Sequence, residues 1–183
     1  MVSNSCVKLV KQELERTGFI EVIHIEMGKA EIQYDSQVIS IEGVNTILKR
    51  NGFEIISDNN KKLVEQIKTS VIQFVFYGNN TNSLIRNSDY LSEKLQHSYR
   101  HLSKVFSETT GITLEKYIII IKAEKIKELI SYDELTLSEI AYQMGYSSVQ
   151  YLSNQFKQVT GYSVSEYKNL GKRDRKPLST LID

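Results

Sequence analysis

Two pairs of side chains, each four residues apart, have the chemistry to read the edge of a nucleic-acid base. Gln150 and Asn154 fall one turn apart on a helix, and each carboxamide can pair with N6 and N7 of adenine. Arg100 and Lys104 repeat the spacing with cations. A guanidinium can grip O6 and N7 of guanine at once, and Lys104 suits a base or a phosphate equally. Tyr99, Ser103 and Ser107 belong to the exposed side of the first segment, and Ser147, Ser148, Val149, Tyr151 and Gln155 to that of the second. Val149 offers only an apolar contact to a thymine methyl. Ser147, Ser148 and the backbone amides at the start of their helix suit a phosphate, as does Lys157. No acidic residue occurs from Ala141 to Ser165, and carboxylates are expected to be absent from both reading faces.

The elements that aim these side chains are legible from a repeat. The second half of the chain matches itself at an offset of 49 to 50 residues. Leu102-Ser103-Lys104-Val105-Phe106 aligns with Leu152-Ser153-Asn154-Gln155-Phe156, Thr110-Gly111 with Thr160-Gly161, and Tyr117 with Tyr167. Leu91, Ser92 and Leu95 match Ile140, Ala141 and Met144 one residue out of step, so two copies of one supersecondary unit are implied. In the second copy Thr136-Leu137-Ser138-Glu139 is a capping box that starts a short helix, with Ile140, Ala141 and Met144 on its inner face and Gly145 in the turn that ends it. Ser147 or Ser148 caps the next helix, which stops at Gly161. Two short helices joined by a glycine-containing turn form a helix-turn-helix, whose second helix enters the DNA major groove. The first copy runs from Tyr90 to Gln96 and from Ser98 to Thr109, without the turn glycine. Leu102, Phe106, Leu152 and Phe156 are the expected core, and His101 is as well suited to packing as to contact. Thr113 to Ser131 keeps apolar residues three and four apart, as one long amphipathic helix joining the two readers does. Ser163-Val164-Ser165-Glu166 is a further capping box, opening a last short helix near Tyr167.

On these residues the chain from about Leu84 to Leu170 resembles the DNA-binding domain of AraC/XylS-family transcriptional regulators. The motifs are Ser138-Glu139-Ile140-Ala141-Tyr142-Gln143-Met144-Gly145-Tyr146, then Leu152-Ser153-Asn154-Gln155-Phe156-Lys157, then Gly161-Tyr162-Ser163-Val164-Ser165-Glu166-Tyr167. The resemblance implies a sequence-specific regulator whose two recognition helices read successive major grooves. The DNA-contacting residues are then Tyr99, Arg100, Ser103, Lys104, Ser147, Ser148, Val149, Gln150, Tyr151, Asn154 and Lys157. Two departures bear on backbone contacts: Ser163-Val164 stands where the family commonly has Thr-Pro, and Lys122 where its linker helix commonly has arginine.

The front of the chain is of another class. Ser5 to Thr17 reads as an amphipathic helix closed by Gly18, Phe19 to Glu26 and Lys29 to Tyr34 as a hairpin around Met27-Gly28, and Ile41 to Asn51 as a second helix. Phe53 to Ile56 is expected as a further short strand, and Ser57-Asp58-Asn59 as the cap of a long third helix carrying Leu63, Val64, Ile67, Val71, Phe74 and Val75. The order αββαβ is an α+β, ferredoxin-like unit lacking its first strand: the domain has one strand fewer, a partner supplies it, or the true start lies upstream. It resembles heavy-metal-associated modules, in which Cys-x-x-Cys leads into the first helix. Here the equivalent stretch is Ser3-Asn4-Ser5-Cys6, and one soft ligand does not hold a metal, so no metal or other cofactor is expected. The domain plan is a ferredoxin-like module over 1–77, a linker over 78–83, an all-α double helix-turn-helix over 84–170 and a basic tail over 171–183, whose Lys172-Arg173-Asp174-Arg175-Lys176 run can reach phosphates.

Composition removes other functions. In 183 residues there is one cysteine, which excludes a disulfide scaffold and a zinc finger. The three histidines, His24, His97 and His101, stand in no metal-ligand spacing, no glycine-rich phosphate loop exists, and an enzyme is not expected. No apolar run approaches the roughly 20 residues of a membrane span, and Met1 to Cys6 lacks a secretion signal, so a cytoplasmic location, on the nucleoid when bound, is expected. The charge balance, 23 basic against 22 acidic residues, leaves a surplus of +2 in the part after residue 80, 14 against 12. That low surplus keeps an alternative open, a protein-interaction adaptor whose helix-turn-helix units have lost DNA binding or need a partner for it. The partners expected are double-stranded DNA, a second copy through the front module, and a small-molecule or protein effector, with no membrane.

Overall fold

In the computed structural model, residues 1, 3–78, 87–169 and 178 are described. The expected linker from residue 79 onward and the basic tail, apart from residue 178, lie outside them. The chain divides into two compact units, Met1–Thr69 and Ser70–Asp183.

The first unit begins with α1 (Asn4–Glu15), which Ser3 caps by accepting from the Cys6 amide at 3.3 Å. An antiparallel hairpin follows, β1 (Ile20–Glu26) and β2 (Lys29–Tyr34), and then α2 (Ile41–Lys49), capped by Ser40. Val22 pairs with Ile32 but His24 with Glu31, so Ile23 is an extra residue, a bulge that twists the strand. Val10, Leu14, Ile20 and Val44 form the core, with Val22, Ile25, Ile32, Ile47 and Phe53 packed against it. Helix α3 (Asn59–Ile72) comes next, with Asp58 accepting from the Lys61 amide at its start.

One expected element is missing. Phe53 to Ile56 forms no strand, and among the described residues the sheet has two strands. The physical reason is that its backbone donors are already used. The Phe53 amide donates to the Leu48 carbonyl at 3.1 Å, and that of Ile55 to Asn45 Oδ1 at 2.8 Å, both on α2. The ferredoxin-like reading is corrected to this extent: two helices and a single hairpin stand where αββαβ was expected.

The second unit is helical. α3 runs into a π-helical turn, Gln73–Tyr77, closed by the Gly78 amide donating to the Gln73 carbonyl at 2.9 Å. Then come α4 (Asn87–Leu95), α5 (Tyr99–Thr110), α6 (Leu114–Tyr132), α7 (Leu137–Gln143), α8 (Val149–Thr160) and α9 (Val164–Asn169). The repeat is kept down to single bonds. Ser98 and Ser148 cap α5 and α8 by accepting from the amides of His101 and Tyr151. Thr110 and Thr160 donate back to the Phe106 and Phe156 carbonyls at 2.7 and 2.8 Å. Thr113 and Ser163 cap α6 and α9, and Tyr117 and Tyr167 lie 5.3 and 5.6 Å from the rings of Phe106 and Phe156. Leu102, Phe106, Leu152 and Phe156 are buried, as their spacing requires. Helix α9 is thus the short counterpart of α6.

The copies differ in the turn. Gly145 (φ 69°) matches Gln96 (φ 55°) at an offset of 49, and the caps match at 50, so the second turn holds one residue more. That residue accounts for the change of register in the repeat. Gln96 takes the left-handed conformation with a side chain, at a cost of about 1 kcal/mol, and its Nε2 donates to the Glu93 carbonyl at 2.6 Å in partial compensation. Gln96→Gly is therefore expected to raise stability by about 0.5–1 kcal/mol in chemical denaturation, with an unchanged denaturant slope.

Candidate nucleic-acid interface

The expected DNA-facing residues lie on α5 and α8, and the structure sorts them into free and engaged groups. Arg100 and Lys104 are exposed at the second and sixth positions of α5. Gln150 and Asn154 are exposed at the same positions of α8. Tyr151, Lys157 and Ser147 are exposed, Val149 is half-buried, and the Ser148 hydroxyl is occupied by its cap.

Val149 was expected to be exposed, and beyond it expectations change at four further places. Tyr99 is half-buried and donates to Glu115 Oε1 at 2.9 Å, so it ties α5 to the start of α6. Burial first, and the Glu115 carboxylate second, push its phenol up to about 12. Ser103 and Ser107 are half-buried, the latter bonded to the Lys104 carbonyl. Gln155, expected among exposed residues, is half-buried: it accepts from the Tyr146 hydroxyl at 2.8 Å and donates to that of Tyr151 at 3.3 Å. The face of α5 is not free of carboxylates either. Glu108 is exposed one turn beyond Lys104 and 3.9 Å from it. The reason is local, since a carboxylate at that spacing offsets a neighbouring cation on a solvated helix.

The sequence pointed to Lys122 for backbone contacts and did not reveal that it fastens the second reader from within. Lys122 of α6 donates to the Met144 carbonyl at 2.9 Å and stands 5.2 Å from the centroid of the Tyr146 ring. It thereby satisfies a carbonyl at the end of α7 and stands against the aromatic ring of the longer turn. Burial lowers its ammonium from the ordinary lysine value. Burial, and then Tyr151, push the Tyr146 phenol up to about 12. Lys122 is thus committed to holding α6, α7 and α8 together.

Both expected capping boxes are present. Glu139 Oε2 accepts from the Thr136 hydroxyl and amide, each at 2.7 Å, which holds its carboxyl below the usual range. Glu166 does the same with Ser163. Among the described residues no helix is long and apolar enough to cross a membrane.

Residues 91–170 match the family described as helix-turn-helix domain. The F1 operon positive regulatory protein of Yersinia pestis is 29% identical over 106 residues, 58% of this chain and 35% of that protein. An uncharacterized HTH-type transcriptional regulator of Staphylococcus aureus (strain MSSA476) is 26% identical over 145 residues, 68% of this chain and 19% of the relative. The chain thus spans about a third or less of the length of these curated relatives. Among solved structures, the C-terminal domain of AraT, a response regulator from Geobacillus stearothermophilus, aligns with a TM-score of 0.51 at 23% identity, covering 66% of this chain and 95% of that one. That likeness is one of fold. The family and the relatives' names belong to transcription regulation, a class without enzymatic activity.

Two outcomes follow from the geometry. Lys122→Met leaves the Met144 carbonyl without its donor and is expected to cost about 1–2 kcal/mol in denaturation, whereas Lys122→Arg keeps most of it. Between about pH 10 and 12 the unfolded chain gives up phenolic protons that folded Tyr99 and Tyr146 retain. Their contribution is fully present below that window and is lost as pH rises through it. In tyrosinate absorbance of the native protein, Tyr99→Phe and Tyr146→Phe should each remove one late-titrating group.

Proposed function

We propose that the chain, whose residues 91–170 match a helix-turn-helix domain family, is a sequence-specific DNA-binding transcriptional regulator of the AraC type that reads two successive major grooves with α5 and α8. One observation carries this reading. The two helices share a capped frame and pack on the same helix, α6, yet expose different side chains at equivalent positions: Arg100 and Lys104 on one, Gln150 and Asn154 on the other. An identical scaffold with different exposed chemistry suits a site of two unlike halves, about 34 Å apart on one face of the duplex.

Arg100 carries guanine recognition in the first head, with Lys104 shared between base, phosphate and Glu108. In the second head Gln150 and Asn154 face adenine, Tyr151 and Val149 flank them, and Ser147, Lys157 and the amides of Ser148 and its neighbours take phosphates. Tyr99 and Ser103 act from behind, setting the angle of α5. DNA as the partner puts the site of action on the nucleoid, in the cytoplasm. For the Met1–Thr69 unit we propose pairing or effector docking. Both outer edges of its hairpin are unpaired among the described residues, and an open edge accepts an added strand.

The test is selection of duplexes from a random library, followed by titration of the winner and a scrambled copy at several salt concentrations. Binding of the winner about a thousandfold more tightly, with a steep salt slope, is the expected result. Equal, weak binding of both would favour the adaptor. Within the winning site, Arg100→Ala is expected to relax one base position at a cost of about 1–3 kcal/mol. Uniform weakening on every sequence would instead make Arg100 a phosphate contact.

A further inference from the structure

The two amides of α8 are already joined: Gln150 Nε2 donates to Asn154 Oδ1 at 2.9 Å. We propose that they read one A·T base pair as a unit, with Gln150 touching the adenine edge and Asn154 fixing the plane of its amide. The inference rests on the DNA-reading function proposed above and names what the second head reads.

Position assigns the roles. Gln150 is the second residue of α8, at the end of a recognition helix from which base edges are reached, and Asn154 follows one turn behind. The Gln150 amide carries two N–H groups and one carbonyl. One N–H is spent on Asn154, which leaves an N–H and the carbonyl, the donor and acceptor that adenine N7 and N6 require. Guanine presents two acceptors at that edge and would meet the Gln150 carbonyl oxygen with its O6. A lone glutamine escapes this by turning its amide over. Here the turn would bring the Gln150 oxygen against Asn154 Oδ1 unless Asn154 turned its own amide with it, so the bond to Asn154 couples the two amides and disfavours a flip of Gln150 alone.

The neighbouring groups leave the pair undisturbed. Gln155 and Tyr151 bond to each other, and Gln155 to Tyr146. The equivalent positions of α5 hold Arg100 and Lys104, two cations that have no such bond to make, and Lys104 lies near Glu108 instead. The coupled reader therefore belongs to the second head alone, and Asn154 is a positioning residue rather than a second independent contact.

The experiment uses the full chain and the duplex selected from a random library, with each base pair of the α8 half-site changed in turn. The readout is discrimination between A·T and G·C at each pair, which cancels any uniform change in affinity. Gln150→Ala and Asn154→Ala are each expected to reduce discrimination about tenfold at the same base pair, and the double variant no further than the worse single. Asn154→Asp, which keeps an acceptor for the Gln150 amide, should stay within about threefold of the parent in discrimination. Losses that multiply, losses at two different base pairs, or Asn154→Asp behaving as Asn154→Ala would overturn the paired reader while leaving DNA recognition intact. A chain that enriches no duplex from the pool would overturn both.

Discussion

Both reading helices are referred to α6, and the charges that α6 buries are neutralised within the protein. Its buried positions include Leu114, Tyr117, Ile118, Ile121, Ala123, Ile126, Leu129 and Ile130, which between them leave little of the helix surface to solvent. Glu124 and Lys127 are buried among them and pair at 2.7 Å, as an ion removed from water must. Three of its lysines each stand over an aromatic ring of a different element: Lys122 over Tyr146, Lys125 over Phe76 and Lys127 over Tyr167, at 5.2 to 5.9 Å. Long apolar stems cover the core while the ammonium groups reach a ring or a carbonyl beyond it. The axial helix is thus tied by charge to the second reader, to the turn that leads in from α3, and to α9.

On that axis the same short-range rules are applied twice. A serine caps each reading helix, a phenylalanine and a leucine seat it, a threonine closes its end, and a tyrosine from the next helix covers the phenylalanine. Because the inward-facing residues are held in common, the outward-facing ones are free to differ, and they do so in kind, with cations on α5 and paired amides on α8. The turns differ as well, through Gln96 in one and Gly145 with an additional residue in the other. The additional residue admits the half-buried ring of Tyr146, and Lys122 and Gln155 then fix α8 from two sides.

Periodicity and capping were enough to read most of this from the chain. The boundaries of β1, β2, α2, α5 and α8, both capping boxes and the four core residues of the reading helices are close to where spacing puts them. These features depend on neighbours three or four residues away, which is the range over which a single sequence speaks. Phe53 to Ile56 failed for the complementary reason. Whether an apolar run becomes a strand depends on a partner edge, and here two of its amides bind α2 instead. The site shows the same division. Exposure of Arg100, Lys104, Gln150 and Asn154 follows from their place on the helices, whereas the engagement of Tyr99 with Glu115 and of Lys122 with Met144 joins residues 16 and 22 apart. Glu108 was legible, since it lies four residues from Lys104 on the same face.

The central claim is that one chain carries two readers, held at a fixed separation by one helix. Methylation and hydroxyl-radical protection on a selected duplex tests it most directly. The account predicts two patches of major-groove protection on the same face, one helical turn or about 34 Å apart, each patch lost when the exposed side chains of its own helix are removed. A single protected patch, or two whose separation varies from one selected duplex to the next, would contradict it.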